Sequence, residues 1–313
     1  MIPDIAISVI IPAYNAAATI GRTLAALQSQ AGGMTFETIV VDNGSCDATA
    51  TIAQTSGATV LTEQKRGPAA ARNCGLRAAR GDIILCCDAD TVPSRRWVSE
   101  MTHPFEKSAT VLVGGNTLCY PPETGAERFV ERTQLYDMER AINRPVLPFV
   151  ITLNLGVRRT AALEIGGFCE DLITAEDVDF SHRLLRAFNT KIVYRQSAVL
   201  YHRCRSDAAA LARQAYAYGD GMAECYLRYP DQLSWNWRQS LLVASRLTTR
   251  RLETMICAAR GTLGHRDADT LEFFHYRNLW ETQFFTAFLK KYYGSRKRLT
   301  PSMVGPMAPA VRA

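Results

Sequence analysis

Hydrophobic positions in the first 115 residues come in short continuous runs separated by alanine-rich stretches. Four apolar runs stand at 7–11, 37–42, 58–63 and 82–88, and each precedes a stretch with helical spacing. Because the runs are continuous rather than alternating, we expect strands covered on both faces, as in a parallel sheet built from βαβ units. The pattern predicts an α/β fold with a mostly parallel sheet flanked by helices.

The pattern changes twice further along the chain. Helices are predicted first at 16–31, 47–55, 68–79 and 95–107, then mixed elements follow: strands at 111–116 and 149–159, helices at 123–141 and 175–188. Beyond residue 206 the chain is almost wholly helical, at 207–228, 235–260 and 270–292, and the end is expected to fray. We therefore expect three regions, 1–115, 116–205 and a helical C-terminal extension, 206–313.

Polar side chains follow three of the predicted strands. They are Tyr14 and Asn15 after the first strand, Asp42 and Asn43 after the second, and Asp88 and Asp90 after the fourth. Ligands of such sheets bind in the crevice outside the carboxyl ends of the strands, so we expect these side chains to form one polar rim. Asp42 would accept hydrogen bonds from a base or ribose there, with capping as the alternative, while Asp47 is expected to cap the next helix.

Asp88-Ala89-Asp90 carries the strongest chemical signal. Two carboxylates one residue apart can share a hard cation, and oxygen ligands favour Mg²⁺ or Mn²⁺ with other positions left to water and phosphate. Such an ion neutralises charge on a departing nucleoside diphosphate. A pair of surface acids in a turn is the alternative for so short a pattern.

A basic loop precedes the third predicted helix. Lys65 and Arg66 stand before Gly67 and Pro68, and the free N–H groups at the start of a helix favour an anion. Arg72, inside that helix, could reach back toward phosphate or ribose. Ordinary surface cations are the alternative for Lys65 and Arg66.

Three segments in this order, SVIIPAYN, VVDNGSCD and RGPAAARNCGLRAARGDIILCCDADT, resemble the family 2 glycosyltransferases, whose nucleotide-binding half has the Rossmann-like GT-A fold. The segment GGFCEDLITAEDVDFSHRL is similar to the family's acceptor-side motif, a glutamate–aspartate pair after a Gly-Gly-Phe turn. The resemblance covers residues 5–205 and leaves the helical extension outside it. One departure is Ala16, Ala17 and Ala18, where many members carry a glutamate soon after the Tyr-Asn.

The resemblance implies that 1–115 is the nucleotide-sugar-binding half of a GT-A domain and 116–205 its acceptor-binding half. With the strand ends, it assigns donor-nucleotide contacts to Pro12, Ala13, Tyr14, Asn15, Asp42, Asn43, Gly67, Arg72, Asp88 and Ala89. In this family the residue matching Asp90 is typically the direct metal ligand, while Asp88 binds ribose or metal-bound water. His202 matches a position that often supplies a further metal or diphosphate contact, although packed histidines are common.

By the same resemblance Asp177 of the Glu176-Asp177 pair is the expected catalytic base. Single displacement at an anomeric carbon needs a base that deprotonates the acceptor hydroxyl on the face opposite the leaving diphosphate. Asp177 at a helix start could instead be a cap, and Glu176 or Asp179 stay open as the base.

Other residues are expected on the sugar and acceptor side of the site. Asn154 and Arg158 would border the donor sugar or, alternatively, satisfy neighbouring backbone. Gly166 and Gly167 would permit a turn with backbone near the ligand.

The sequence thus predicts an inverting, metal-dependent glycosyltransferase that uses Mn²⁺ or Mg²⁺ and a nucleotide-diphospho-sugar donor, with a UDP-sugar favoured. The hydroxyl acceptor could be a glycan, a lipid-linked saccharide, a natural product or a peptide. A sugar-1-phosphate nucleotidyltransferase would need a glycine-rich basic loop after the first strand, which PAYNAAATIG is not. A non-catalytic nucleotide-sugar-binding module is the other alternative, although Asp88, Asp90 and Asp177 are all present.

Charge changes the picture mainly in the extension. Residues 1–200 hold 19 Lys+Arg against 21 Asp+Glu, and residues 201–313 hold 17 against 9. An aromatic helix face precedes a basic cluster there: Phe273, Tyr276, Trp280, Phe284 and Phe288, then Lys290, Lys291, Arg296, Lys297 and Arg298. We expect this face to pack on the catalytic domain, with a membrane surface or a homodimer seam as alternatives and no nucleic-acid partner.

Cysteines and hydropathy bear on localisation. Nine cysteines without a C-x-x-C pair favour reduced thiols rather than a disulfide framework. No run approaches the roughly 18 apolar residues of a membrane span, and no basic stretch precedes the first apolar run, so we expect neither an anchor nor a signal peptide. The expected location is cytoplasmic, with peripheral contact to the inner membrane face left open.

Overall fold

The structure is a computed structural model that describes residues 6–262 and 268–296. The chain divides into two compact units, of which one ends at Leu211 and the other begins at Ala212. We call them the α/β unit and the helical unit. The expectations for Lys297, Arg298 and the frayed end lie outside the described residues.

Eight strands of the α/β unit form one mixed sheet in the order β3-β2-β1-β4-β7-β6-β8-β5. They are β1 Ile7–Ala13, β2 Glu37–Asp42, β3 Thr59–Thr62, β4 Ile83–Cys87, β5 Thr91–Pro93, β6 Leu112–Cys119, β7 Asn154–Arg158 and β8 Ile192–His202. The first four strands pair in parallel, as do β6 and β8, whereas β7 runs antiparallel to both neighbours and β5 antiparallel to β8. The predicted α/β class with a mostly parallel sheet is confirmed.

Most described helices lie at the predicted positions, although the helix at 159–164 was not predicted and the last helix extends beyond the predicted 270–292 at both ends. They are α1 Ile20–Gln28, α2 Thr49–Thr55, α3 Pro68–Ala78, α4 Trp97–Thr102, α5 Gly125–Thr133, α6 Met138–Ile142, α7 Arg159–Glu164, α8 Glu176–Phe188, α9 Ala208–Arg228, α10 Trp237–Thr262 and α11 Ala268–Arg296. A 3₁₀ turn, His103–Glu106, continues α4.

Two predicted elements are corrected. The single helix expected at 123–141 is α5 and α6, because Gln134 turns left-handed at φ 49° and Asp137 caps a new helix through the Arg140 N–H. The strand expected from residue 149 begins only at Asn154.

The apolar runs of β1, β2 and β4 are mostly buried, as predicted, whereas β3 lies at the edge of the sheet with Thr59 and Thr62 exposed. Val9, Ile10 and Ile11 are at most 1% exposed, and each fully buried side chain of this kind contributes about 1.5–3 kcal/mol. Gly75 on α3 lies so close to Ile10 that a Cβ there would clash. This close approach sets α3 against the sheet, with its first turns near the strand ends.

Aromatic side chains of α11 pack inside the helical unit. Phe288 is 1% exposed and contacts Tyr226 of α9, Trp235 and Tyr292, with ring centroids 4.5–5.8 Å apart. The α11 aromatics are therefore core residues at this end of the helix. No described helix is long and apolar enough to cross a membrane.

Cys119 and Cys204 are joined by a disulfide, so the expectation of reduced thiols is wrong for this pair. β6 and β8 are parallel neighbours whose register sets Cys119 beside His202, which brings Cys204 just past the strand within reach. The two cysteines are 85 residues apart, so their pairing depends on strand order, which the spacing of cysteines does not reveal.

Candidate functional site

A cleft of about 630 Å³ lies in the α/β unit where β1, β2 and β4 end. Ten residues predicted for the site line it: Pro12, Ala13, Tyr14, Asn15, Asn43, Gly67, Arg72, Asp88, Ala89 and Asp90. Ala16, Ala18, Arg66, Ile173 and Arg205 also line it. Asp42, Glu176, Asp177 and His202 are not among the lining residues, although Glu176 pairs with Arg72 and His202 with Asp90, two residues of the cleft wall.

The Asp88–Asp90 turn between β4 and β5 is anchored from α1. The buried hydroxyl of Thr23 lies 3.1 Å from the Ala89 carbonyl and 2.6 Å from that of Thr91, and the Thr91 hydroxyl donates to the Asp88 carbonyl. These bonds hold the turn's backbone and leave its carboxylates facing the cleft. Sequence reasoning missed Thr23, because only the folded chain brings the middle of α1 to this turn.

Arg72 joins the Asp88–Asp90 turn to the start of α8. Its guanidinium donates to Asp88 Oδ1 at 3.0 Å and to Glu176 Oε1 at 2.8 Å. Burial alone would lower the pKa of Arg72, but the two carboxylates raise it, so the buried side chain is charged. Its Nε has no hydrogen-bond partner among the described residues. Arg72 was expected to contact phosphate or ribose. In this structure it is paired with the carboxylates of Asp88 and Glu176.

Asp177 is an acid with a pKa suited to proton transfer. Burial, reinforced by the Glu176 carboxylate and opposed by Arg72, raises the pKa of Asp177 to about 7. Burial also raises the pKa of Glu176, but this carboxylate is paired with Arg72. Asp179 is buried and paired with Arg183 at 2.7 Å. Of the three acids considered as the base, Asp177 is the one without an arginine ion pair in the described contacts.

Strand register brings His202 to Asp90. β5 and β8 pair Thr91 with His202, and His202 Nε2 lies 3.6 Å from Asp90 Oδ1. Arg205, a cleft residue that sequence reasoning missed, lies 3.7 Å from Asp90 Oδ2. Burial lowers the pKa of His202, although Asp90 opposes this, and a neutral imidazole is the form that binds a metal.

These side chains fit a divalent ion that keeps several non-protein ligands. No group of three His, Cys, Asp or Glu side chains converges for a metal within residues 6–262 and 268–296. Asp90 and His202 supply two donors, and Mg²⁺ or Mn²⁺ is commonly held by one or two carboxylates together with water and substrate phosphates. One oxygen of Asp88 is held by Arg72.

An arginine covers the aromatic ring of Tyr14 at the end of β1. The Arg66 guanidinium lies 4.1 Å from the centroid of the Tyr14 ring and donates to the Asn43 carbonyl at 2.7 Å. Asn43 in turn accepts the Gly67 N–H and donates to the Lys65 carbonyl. Asn43 therefore shapes the basic loop. Lys65 itself pairs with Glu170, 3.1 Å away.

Asp42 and Asp47 make local hydrogen bonds. Asp42 Oδ1 accepts the Ser45 N–H at 3.2 Å, the capping geometry considered as the alternative for this residue. Asp47 accepts the Thr49 N–H at the start of α2, where it was predicted to cap.

The Gly-Gly-Phe turn is fixed by two polar side chains. Gly166 and Gly167 have φ of 79° and 72°, the left-handed region that favours glycine. Asn73 on α3 donates to the Phe168 carbonyl and accepts its N–H at 2.9 and 2.8 Å, and Arg183 donates to the Gly167 carbonyl. Sequence reasoning missed Asn73, because its partner Phe168 lies 95 residues further along the chain.

Asn154 and Arg158 make structural hydrogen bonds. The buried Asn154 accepts from Trp97 Nε1 and donates to the carbonyls of Asn116 and Ala198. Arg158 donates to the carbonyls of Thr110, Phe105 and Lys107. These bonds correspond to the alternative in which both residues satisfy neighbouring backbone.

The family model and two curated proteins that this chain resembles are all glycosyltransferases. The model of glycosyl transferase family 2 matches residues 8–166. Glycosyltransferase AglE of Haloferax volcanii is 30% identical over 230 residues, covering 71% of this chain and 74% of that protein. Pre-mycofactocin glycosyltransferase of Mycobacterium tuberculosis is 29% identical over 237 residues, 72% of this chain but only 48% of the relative.

Two solved structures share the fold. The Pyrobaculum calidifontis mannosyltransferase PcManGT, in complex with GDP-Man and Mn²⁺, superposes with a TM-score of 0.64 at 17% identity, covering 92% of this chain and 87% of that one. Mycobacterium tuberculosis glucosyl-3-phosphoglycerate synthase, in complex with Mg²⁺ and UDP, gives 0.52 at 23% identity, with 71% and 78% covered. With the matched family model and the relatives, the chain belongs to glycosyl transferase family 2 and is a glycosyltransferase with a GT-A-like fold.

Proposed function

We propose that this glycosyltransferase moves a sugar from a nucleoside diphosphate bound in the cleft to an acceptor hydroxyl, with inversion and with Asp177 as the base. The observation that carries the proposal is the Asp88–Arg72–Glu176 bridge, which ties the Asp88–Asp90 turn to the acid pair containing Asp177. The side chains proposed to bind the donor and those proposed to activate the acceptor thereby belong to one connected polar network.

The cleft suits the donor. Tyr14 and the Arg66 guanidinium that lies over its ring offer a stacking surface for a base, and Arg66, Arg72 and Arg205 give a cationic lining that complements a diphosphate. A UDP-sugar is favoured as donor, although the two structural neighbours described above are bound to GDP-Man and to UDP.

Asp90 and His202 would hold a divalent ion, Mn²⁺ or Mg²⁺, with Asp88 next to it. When bound, the ion would neutralise charge on the departing diphosphate. Both structural neighbours are complexed with such ions, which supports this expectation.

The chemical step balances with a single base. The Asp177 carboxylate takes the proton of the acceptor hydroxyl as that oxygen bonds to the anomeric carbon. The bond from the anomeric carbon to the diphosphate oxygen breaks, and its electron pair leaves with the diphosphate. No covalent intermediate with the protein is required.

Ligand binding and turnover test this proposal separately. Thermal shifts would be measured with UDP, GDP and TDP, each with Mn²⁺ or with excess chelator, and nucleotide release from UDP-glucose would report turnover. A ligand at a hundredfold excess over its Kd stabilises the protein by about 2.7 kcal/mol. We expect the diphosphate-dependent shift to require the ion.

Asp90→Ala should lose both the ion-dependent shift and nucleotide release. Asp82→Ala, an exposed acid at the other end of β4, is the matched control and should behave like the unmodified protein. Nucleotide release that continues in excess chelator would overturn the metal role, and binding without any turnover would point to the non-catalytic module.

A further inference from the structure

An exposed apolar surface lies on α10 in the helical unit. We call it the α10 face, and its members are large hydrophobic side chains that are 47–70% exposed: Trp237, Leu241, Leu242, Leu252, Met255 and Ile256. A helix that only covers a core turns such side chains inward. α10 directs them outward instead.

These residues share one side of α10 in two groups, 237–242 and 252–256, which are separated by about 15 Å of helix that carries the exposed Ser245 and Thr248. At 3.6 residues per turn, Trp237, Leu241, Leu252 and Met255 fall along one stripe, with Leu242 and Ile256 beside it. Away from the stripe, Val243 is buried and Glu253 pairs with Arg277 of α11 at 2.6 Å. The side of α10 that meets the rest of the helical unit thus includes ion pairs, while the large apolar side chains face solvent.

The surroundings of the α10 face are cationic. α10 contains five arginines and one glutamate, and that glutamate is the paired Glu253. Arg238 and Arg251 are exposed and flank the apolar stripe on its two sides. The face therefore combines an apolar band with positive charge and has no exposed acid on α10.

We propose that the α10 face docks on the surface of an anionic lipid bilayer. The six apolar side chains would enter the boundary between headgroups and acyl chains, and Arg238 and Arg251 would meet lipid phosphates. Trp237 at one end of the stripe is a residue type that favours this interface. Charge argues against a second copy, because pairing two α10 faces would bring the arginines of both together and the one acid of α10, Glu253, is already paired with Arg277.

Vesicle sedimentation with the full chain tests the proposal. One set of vesicles is phosphatidylcholine alone, and the other replaces about a third of it with phosphatidylglycerol, an anionic lipid of the kind that attracts basic surfaces. We expect the protein to sediment with the anionic vesicles only, and the bound fraction to fall as salt is added.

Two variants separate the apolar and charged contributions. L241S/L252S/M255S should abolish sedimentation, and R238Q/R251Q should lower the partition coefficient about 25-fold. The matched controls are L118S/L163S and R95Q/R96Q, which change exposed residues of the same types in the α/β unit and should bind like the unmodified chain. Far-UV circular dichroism and the nucleotide-dependent thermal shift verify that each variant is folded.

Two results would overturn the docking proposal. Equal sedimentation with both vesicle types, or binding by L241S/L252S/M255S that matches its control, would show that the α10 face does not contact lipid. Light scattering adds the competing outcome, since a dimer that this triple variant converts to a monomer would assign the face to a second copy. Neither result would affect the proposed transfer, which is read out by nucleotide release.

Discussion

The strands of the α/β unit and helix α10 of the helical unit place their apolar residues in opposite ways. In the α/β unit Leu85 and its neighbours on the strands are buried, and charged side chains collect at the strand ends. In the helical unit, Leu252 and Met255 face solvent while Glu253 pairs with Arg277 between α10 and α11. The same residue types therefore form a core in the strands and an exposed surface on α10.

The largest effect is expected at Asp177. If the α/β unit holds the reaction centre, Asp177→Asn should lower kcat about 10²–10⁴-fold and leave nucleotide binding unchanged, because only the proton acceptor is removed. In the unmodified protein kcat should rise with pH and level off above about 7, because the raised pKa of Asp177 sets the fraction of its carboxyl groups that are ionised. Steady-state kinetics across pH would measure both.

Asp171→Asn is the matched control for that substitution. Asp171 is an exposed acid near the same motif, with 83% of its side chain accessible. Unchanged kcat in Asp177→Asn, or an equal loss in the control, would remove Asp177 from the proposed role.

Arg72→Met compares a buried charge network with a surface pair. The substitution leaves Glu176 and Asp88 without their cation, and breaking a buried pair costs about 3–5 kcal/mol. Arg246→Met removes the more exposed pair of Arg246 with Glu281 in the helical unit and should cost less than about 1 kcal/mol. Urea unfolding measures both, and equal losses would contradict the distinction.

Leu85→Ala and Leu252→Ala test the comparison with one residue type. The first removes fully buried methyl groups from β4 and should cost about 2–5 kcal/mol. The second changes an exposed position on α10 and should stay within about 0.5 kcal/mol. A large loss at Leu252 would mean that α10 has a core role that its exposure does not show.

Gly167→Ala should cost about 1–3 kcal/mol, because a side chain is strained at φ 72° and its Cβ would collide with Asn73. Gly166→Ala has a similar φ of 79° but nothing within 4 Å of the added Cβ, so it should cost less. Thermal unfolding of the two variants isolates the collision from the backbone strain. Equal losses would show that Asn73 moves aside.

The stability of the fold should also depend on pH through Asp177. Because the pKa of Asp177 is higher in the folded protein, its proton stabilises the fold at low pH, and this contribution is lost as pH rises toward 7. Asp177→Asn removes that dependence, so the melting temperature of the variant relative to the unmodified protein should be several degrees higher at pH 8 than at pH 4. Scanning calorimetry at the two pH values decides this, and a difference of the opposite sign would mean that Asp177 is ionised in the fold at low pH.

Local patterns were enough to predict much of the α/β unit. The run at 37–42 is β2 to the residue, and the helices predicted at 68–79 and 175–188 differ from α3 and α8 by one residue. The cleft residues at the ends of β1, β2 and β4 were predictable because parallel strands bring their carboxyl ends to one edge. Helix ends were harder to predict. The stretch 123–141 is split into α5 and α6 at the left-handed residue Gln134, and a left-handed residue does not change the spacing of hydrophobic positions.

The sequence alone determined the fold class, the family and the segments that line the cleft, because these depend on apolar periodicity and on residues a few positions apart. Tertiary structure alone decided which distant groups meet. Arg72 is 104 residues from Glu176, Cys119 is 85 from Cys204, and Asn73 reaches the Gly-Gly-Phe turn from another helix. It also decided which side of α10 faces solvent, since the packing of neighbouring helices, rather than hydrophobicity along α10, selects the covered side.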